Sequence, residues 1–258
     1  EQKKGLSYEQ FTLSLFSENG DVDYFLNEIE SNSFNDAESV YVYVQEHYAA
    51  TNKIKTVTRD YPDVVLRVLT LTGFISIRYK SRIQIIVNTD KIDLIKKIFS
   101  YHHAFTEEQK NNPKLYFDQY VKYSNELIPI TTEWELEPDE SLHKKLELVI
   151  KDYKLTYDKV LNLISKLEDK REQMFKYVST PLKLEFYLSL LLYMKYGDTH
   201  TVVPKYKADS LGMPISHAPA YQGDIYVYSD EINWLVEVTM IRNKQQQLNH
   251  ETSTVVRH

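Results

Sequence analysis

The sequence predicts a mostly helical α+β protein, and three observations carry that expectation. Apolar residues recur at helical spacing through much of the chain, as in Val160, Leu163, Ile164 and Leu167. Glycine is scarce, 6 in 258 residues, while tyrosine reaches 21, a composition of packed helices rather than loops. Two stretches abandon the helical period for alternation, residues 74–87 and 223–239. The length suffices for two or three domains with ordinary cores. The expected division is 1–105, a helical connector over 106–176, and 177–258.

Ser7, followed three residues on by Gln10, reads as a capping box opening a short helix through residue 16, with Phe11, Leu13 and Leu15 among its apolar positions. A second short helix is expected after Asp21. Asn35 or Asp36 caps a third that carries Val40, Val44 and Tyr48, and Pro62 suits the first turn of a fourth over 62–70. In FISIRYKSRIQIIV, residues 74–87, Ile75, Ile77 and Tyr79 alternate with Ser76 and Arg78, and Lys80-Ser81 makes a polar turn. A helix over 90–101 follows. Short helices and then a hairpin resemble a winged-helix domain, which sets a helix in the major groove and its hairpin on phosphate. Arg67, Arg78, Lys80 and Arg82 are then the DNA-binding candidates. A winged helix used only for packing is the other expectation, since helix 62–70 offers one basic side chain and base reading generally takes several.

Helices are expected over 113–123, 141–153 and 156–170, separated by Pro129, Pro138 and the loop around Trp134. No chemistry is visible there, and Tyr116, Phe117, Tyr120 and Tyr123 read as core. Thr180-Pro181 starts the next helix and Gly197 stops it. Between them LKLEFYLSLLLYMKY is apolar nearly all round, interrupted by Lys183, Glu185 and Ser189. A carboxylate on such a helix must be paired, with Lys183 or a neighbouring strand, or have a function. Residues 201–222 carry three prolines and a glycine, a strand end and then a shaped loop that delivers Asp224. His217 in that loop either touches substrate or is simply exposed.

The second alternating stretch, GDIYVYSDEINWLVEVT, makes two carboxylates meet. Asp224, Tyr226 and Tyr228 face one way while Ile225 and Val227 face the other; Glu237 alternates with Val236 and Val238. The turn is either Asp230-Glu231 or the four residues 230–233. Either sets Glu237 opposite Asp224 or one diagonal step away, within roughly 4.5–8 Å. Two acids on one face repel unless something positive lies between them, and a lone carboxylate in the apolar run around Glu237 would be costly. A hard cation such as Mg²⁺ meets both needs. Beyond Thr239 a helix beginning near Asn243 sets Lys244, Gln247, Glu251 and His258 on one stripe.

Composition narrows the classes. Without cysteine there is neither a disulfide framework nor a thiolate metal site. No apolar run approaches the roughly 20 residues that span a bilayer, so no membrane partner is expected, and no secretory signal opens the chain. The abrupt ends at Glu1 and His258 suggest a fragment, or missing segments. The net charge of −6 weighs against a free-standing non-specific DNA binder but leaves room for local basic faces.

Gly-Asp-Ile at 223–225, Leu-Val-Glu-Val-Thr at 235–239, and the glutamine-rich helix with Glu251 and the terminal Arg257-His258 together resemble the cleavage domain of the AlwI, MlyI and BstNBI group of type IIS restriction and nicking endonucleases. These belong to the PD-(D/E)xK nucleases. The resemblance is strongest over 181–258 and implies a restriction-endonuclease-like α/β core there. It implies Mg²⁺, with Mn²⁺ a possible substitute, held by Asp224, Glu237 and the Val238 carbonyl, with Glu185 acting through water. Glu251 and His258 carry over as catalytic positions. Thr239 stands where a lysine is usual, and Lys244 is the candidate replacement. The resemblance further implies a cytoplasmic bacterial protein acting on double-stranded DNA at a distance from its recognition site. A second cleavage subunit or a transient dimer on DNA would serve two-strand cutting. The competing expectation is a non-catalytic winged-helix DNA-binding or assembly subunit with a nuclease-like scaffold domain.

Overall fold

The computed structural model describes residues 5–16, 22–48, 52–100, 106–132, 138–169, 171–219, 222–231 and 233–240. Its contacts divide the chain into two units, 1–88 with 139–258, and 89–138.

In the larger unit β1 (Leu6–Ser7) leads into α1 (Tyr8–Ser14). The expected capping box is present: the Gln10 amide donates to Ser7 Oγ at 3.1 Å and the Ser7 amide to Gln10 Oε1 at 2.9 Å. After α2 (Val22–Ser31), Asp36 opens α3 (Ala37–Tyr48), its Oδ1 accepting the Ser39 amide at 2.8 Å. One wide π-helical turn, Thr56–Asp60, runs into α4 (Tyr61–Leu71) with Pro62 in the first turn. Strands β2 (Ile75–Tyr79) and β3 (Ile83–Val87) pair as a hairpin with Ile77 opposite Ile85. Strand β1 adds to the far side of β3, giving the antiparallel order β1–β3–β2.

The same unit continues with α8 (Asp139–Tyr153), α9 (Tyr157–Ser165) and α10 (Thr180–Tyr196). Helix α9 stops short of the expected residue 170. Both α8 and α9, which fall in the expected connector, pack on α10, and α8 also packs on β4 (Thr201–Pro204). Strands β5 (Lys207–Ala208) and β6 (Pro214–Ser216) form a small ribbon. Strands β7 (Ile225–Tyr228) and β8 (Trp234–Val236) join β4 in an antiparallel sheet of order β4–β7–β8. Helix α10 buries Leu182, Phe186, Tyr187 and Leu190, as its all-round apolar sequence requires. One core runs from Phe11, Leu66 and Ile77 through Tyr153 and Phe175 to Phe186, Val202 and Ile225. The Tyr79 amide donates to the Tyr153 hydroxyl at 3.0 Å inside it.

The smaller unit holds a 3₁₀ turn (Thr89–Lys91), α5 (Ile92–Ser100), α6 (Glu107–Asn111) and α7 (Pro113–Thr132). Two expectations are corrected here. Helix α7 continues through Pro129, at the cost of a single ladder bond, where the sequence suggested a break. Tyr116, Phe117 and Tyr120, expected in a core, are exposed.

Candidate active site

Two elements of the larger unit carry the candidate carboxylates, and a third carries a histidine. The first is the β7–β8 hairpin, whose register pairs Ile225 with Val236 and Val227 with Trp234. One step further along that register sets Asp224 against Glu237, the pairing that belongs to the two-residue turn Asp230-Glu231. The Lys205 amide donates to the Asp224 carbonyl at 2.8 Å, extending the β4–β7 ladder and fixing the Asp224 backbone. The Val238 amide donates to Asp224 Oδ2 at 2.7 Å. Gly223 is closely approached: a Cβ there would displace the end of the exposed Leu235 side chain and lie 3.1 Å from Glu237 Oε1. That Glu237 oxygen is shielded from solvent.

The second element is α10, which carries Glu185, 5 % exposed. The third is the loop after β6, which brings His217 Nδ1 to 2.5 Å from Glu185 Oε1. Lys183, the other partner considered for Glu185, makes no such contact among the described residues. Burial pushes the Glu185 carboxyl above the usual range; the His217 hydrogen bond opposes that, and the negative charges of Asp224 and Glu237 add to it. The hairpin and helix acids therefore sense one another. Glu185 Oε2 is buried and, among the described residues, has no hydrogen-bond partner, a costly condition for a native structure.

Three carboxylates and a backbone carbonyl are oxygen donors, right in kind for a hard divalent cation. They are not drawn into a cage: among the described residues no group of three His, Asp or Glu side chains is gathered closely enough to enclose an ion. The physical reason is visible at Asp224, whose Oδ2 is turned to the Val238 amide. Like charges facing one another also disfavour closer approach of the acids.

Lys244, Glu251 and His258 lie outside the described residues. Thr239 is half-buried, three residues past the end of β8. Of the basic residues expected on DNA, Lys80 and Arg78 lie against Asp152 of α8, at 3.1 and 4.0 Å, while Arg82 is exposed. Arg67 is exposed on α4, but that helix otherwise turns Tyr61, Val64, Val68 and Leu71 outward. Such a face offers bases few hydrogen-bonding groups. The sequence missed the Glu185–His217 pairing, which joins a helix to a loop 32 residues on. It also passed over Asp209, 3 % exposed, whose Oδ1 accepts the Leu211 and Met213 amides at 2.8 and 2.9 Å.

Asp224, Glu237 and Glu185 thus offer oxygen donors of the type that hard cations take, on a hairpin and a buried helix. The chain belongs to the AlwI restriction endonuclease family, whose model matches residues 1–258. It is thus a nuclease of the restriction-endonuclease kind, with DNA as its substrate. No curated protein matches it.

Proposed function

We propose that the chain is a Mg²⁺-dependent type IIS or strand-nicking DNA endonuclease whose cleavage centre is Asp224, Glu237 and Glu185. The observation that carries this reading is the β7–β8 register, which sets Asp224 against Glu237 while both charges raise the proton affinity of buried Glu185. Asp224, Glu237 and the Val238 carbonyl are the proposed ligands, with Glu185 contributing through water and Mn²⁺ able to substitute. The ion, when bound, relieves charge on the scissile phosphate and lowers the pKa of a water molecule. The chain's own part is orientation. The Val238 amide holds the Asp224 carboxylate, and His217 engages one Glu185 oxygen and so fixes the direction of the other.

Glu251 and His258 are proposed beside this centre on the family resemblance, and Lys244 in the part of the lysine that Thr239 replaces. The β1–β3–β2 sheet with α1, α3 and α4 is read as a winged-helix-like DNA-binding domain. One carboxylate constellation hydrolyses one strand at a time, so the proposed activity is nicking by a monomer. A second subunit or a transient dimer on DNA would complete a double-strand break.

The test is incubation of the whole protein with plasmid and Mg²⁺, followed by sequencing of the cut ends. Nicks at a fixed offset from one sequence are expected, with no cleavage by Asp224→Asn. Retained DNA binding without cleavage under any divalent metal points instead to a scaffold. Double-strand breaks with no nicked intermediate, at a rate linear in dilute enzyme, exclude the single centre.

A further inference from the structure

We propose that Lys55, Arg59 and Lys176 form a binding site for successive backbone phosphates of duplex DNA, sharing no residue with the carboxylate centre. The proposal rests on DNA being the substrate and deepens that reading by naming the surface. A cleft of about 450 Å³ is lined by these three cations together with Tyr8, Thr58 and Gln173, and among the described residues no carboxylate lines it. Arg59 comes from the π-helical turn before α4, a wide turn of a kind frequent at functional sites.

Lys176 is the centre of the arrangement. Burial pushes its ammonium below the usual lysine range; Asp63 opposes this, and the positive charges of Arg59 and Arg67 add to it. Three cations therefore crowd one acid, and that acid is already engaged. Asp63 Oδ1 accepts the hydroxyls of Tyr8 at 2.8 Å and Tyr177 at 2.7 Å, with Lys176 Nζ 3.9 Å away. The Lys176 ammonium also lies over the rings of Tyr177 and Tyr8, 4.6 and 5.3 Å from their centroids. Rings on two sides and an acid beneath hold it in one place, so little side-chain freedom is left to lose when an anion binds. Lys55 and Arg59 are exposed and Lys176 is half-buried, so an anion that reached all three would relieve the one ammonium that burial disfavours.

The ligand proposed is duplex DNA because DNA is the substrate, and a second basic side chain, Arg67, lies on the other side of Lys176. Arg67 and Lys176 share a further cleft of about 250 Å³, which is mostly apolar and is also lined by Asp209. The outward face of α4 is apolar, so the contact reads charge and spacing, not sequence.

The experiment measures binding of a fluorescent duplex to the full chain in EDTA, where nothing is cut, across a range of KCl concentrations. Arg59→Gln and Lys176→Gln are each expected to flatten the plot of log affinity against log salt by about one, and the double variant by about two. Duplexes with and without the recognition sequence should weaken alike. Arg59→Lys and Lys176→Arg should restore most of the slope, and Lys144→Gln, on α8 and paired with Glu140, should leave it unchanged. An unaltered slope in a folded double variant overturns the proposal. So does loss confined to the cognate duplex, or displacement of the duplex by millimolar inorganic phosphate at constant ionic strength, which would make this a small-anion site. Wild-type protein that binds with the full slope yet never cleaves when metal is added would remove the nuclease reading and leave this site standing.

Discussion

Asp209 and Glu185 are both nearly fully buried, at 3 % and 5 % exposed, yet their surroundings differ in kind. Asp209 folds its own loop: its carboxylate accepts two backbone amides, and Gly212, at φ +79°, lets the chain turn tightly around it. A Cβ at Gly212 would meet the Lys145 carbonyl at 2.8 Å, so this turn is pressed against α8. Glu185 has one imidazole, two further acids within electrostatic reach, and an oxygen with no hydrogen bond among the described residues. Burial alone therefore does not mark a functional acid. What separates the two is whether the negative charge is answered by the fold or left for something outside it.

The comparison breaks most readily at the hairpin. Asp224→Asn and Glu237→Gln should each lower cleavage by roughly 10²–10³-fold or more, the scale seen when a principal electrostatic group is lost. Without metal their melting temperatures should hold or rise, because each removes one of three facing charges, and the amide oxygen introduced by Asp224→Asn can still accept the Val238 N–H. Glu185→Gln should behave likewise, whereas Asp209→Asn should cleave at the wild-type rate. Normal cleavage by either hairpin variant ends the proposal; a collapse in stability would make these acids structural, like Asp209.

Next in size is His217→Ala, expected to slow single-turnover cleavage by roughly 10–100-fold, as for loss of a group that orients a ligand. DNA affinity should not change, and His217→Gln, able to donate to Glu185 Oε1, should recover part of the rate. A variant that loses affinity and keeps its rate would return His217 to the DNA-contacting role expected from sequence. Gly223→Ala is a smaller disturbance. Its Cβ displaces only the end of the exposed Leu235 side chain, so the melt should barely move, while its approach to Glu237 Oε1 should lower cleavage measurably.

The hairpin was legible because period two and a short turn fix pairing locally: once Asp230-Glu231 forms the turn, Glu237 has only one place opposite Asp224. Glu185 was legible as a charge out of keeping with its helix. His217 was not assignable, since nothing local says which acid a loop histidine will meet. Strand β1 escaped notice for a similar reason, two residues having no period. The apolar outer face of α4 and the exposed aromatic residues of α7 defeat periodicity in another way, because a stripe reports what a helix can bury, not what it does bury. Asp152 against Lys80 and Arg78 joins residues more than seventy apart, beyond the reach of any motif.

The last test asks how completely the fold answers Asp209. Burial raises its carboxyl to about 6 from the ordinary 3.8, although its backbone hydrogen bonds pull the other way. A raised folded-state pKa means that the folded protein holds this proton more tightly than the unfolded chain does. The stabilisation is complete below about pH 4 and is lost as the pH climbs to about 6 and beyond. At roughly 1.4 kcal/mol per unit the loss is at most about 3 kcal/mol. Asp209→Asn has no proton to lose and keeps an acceptor for the Leu211 and Met213 amides. Denaturant melts of both proteins should therefore diverge in the variant's favour between pH 4 and 7, and run parallel above that. Parallel stability curves across the whole range would mean that the charged form costs nothing there, and that the two amides satisfy Asp209 more completely than its burial suggests.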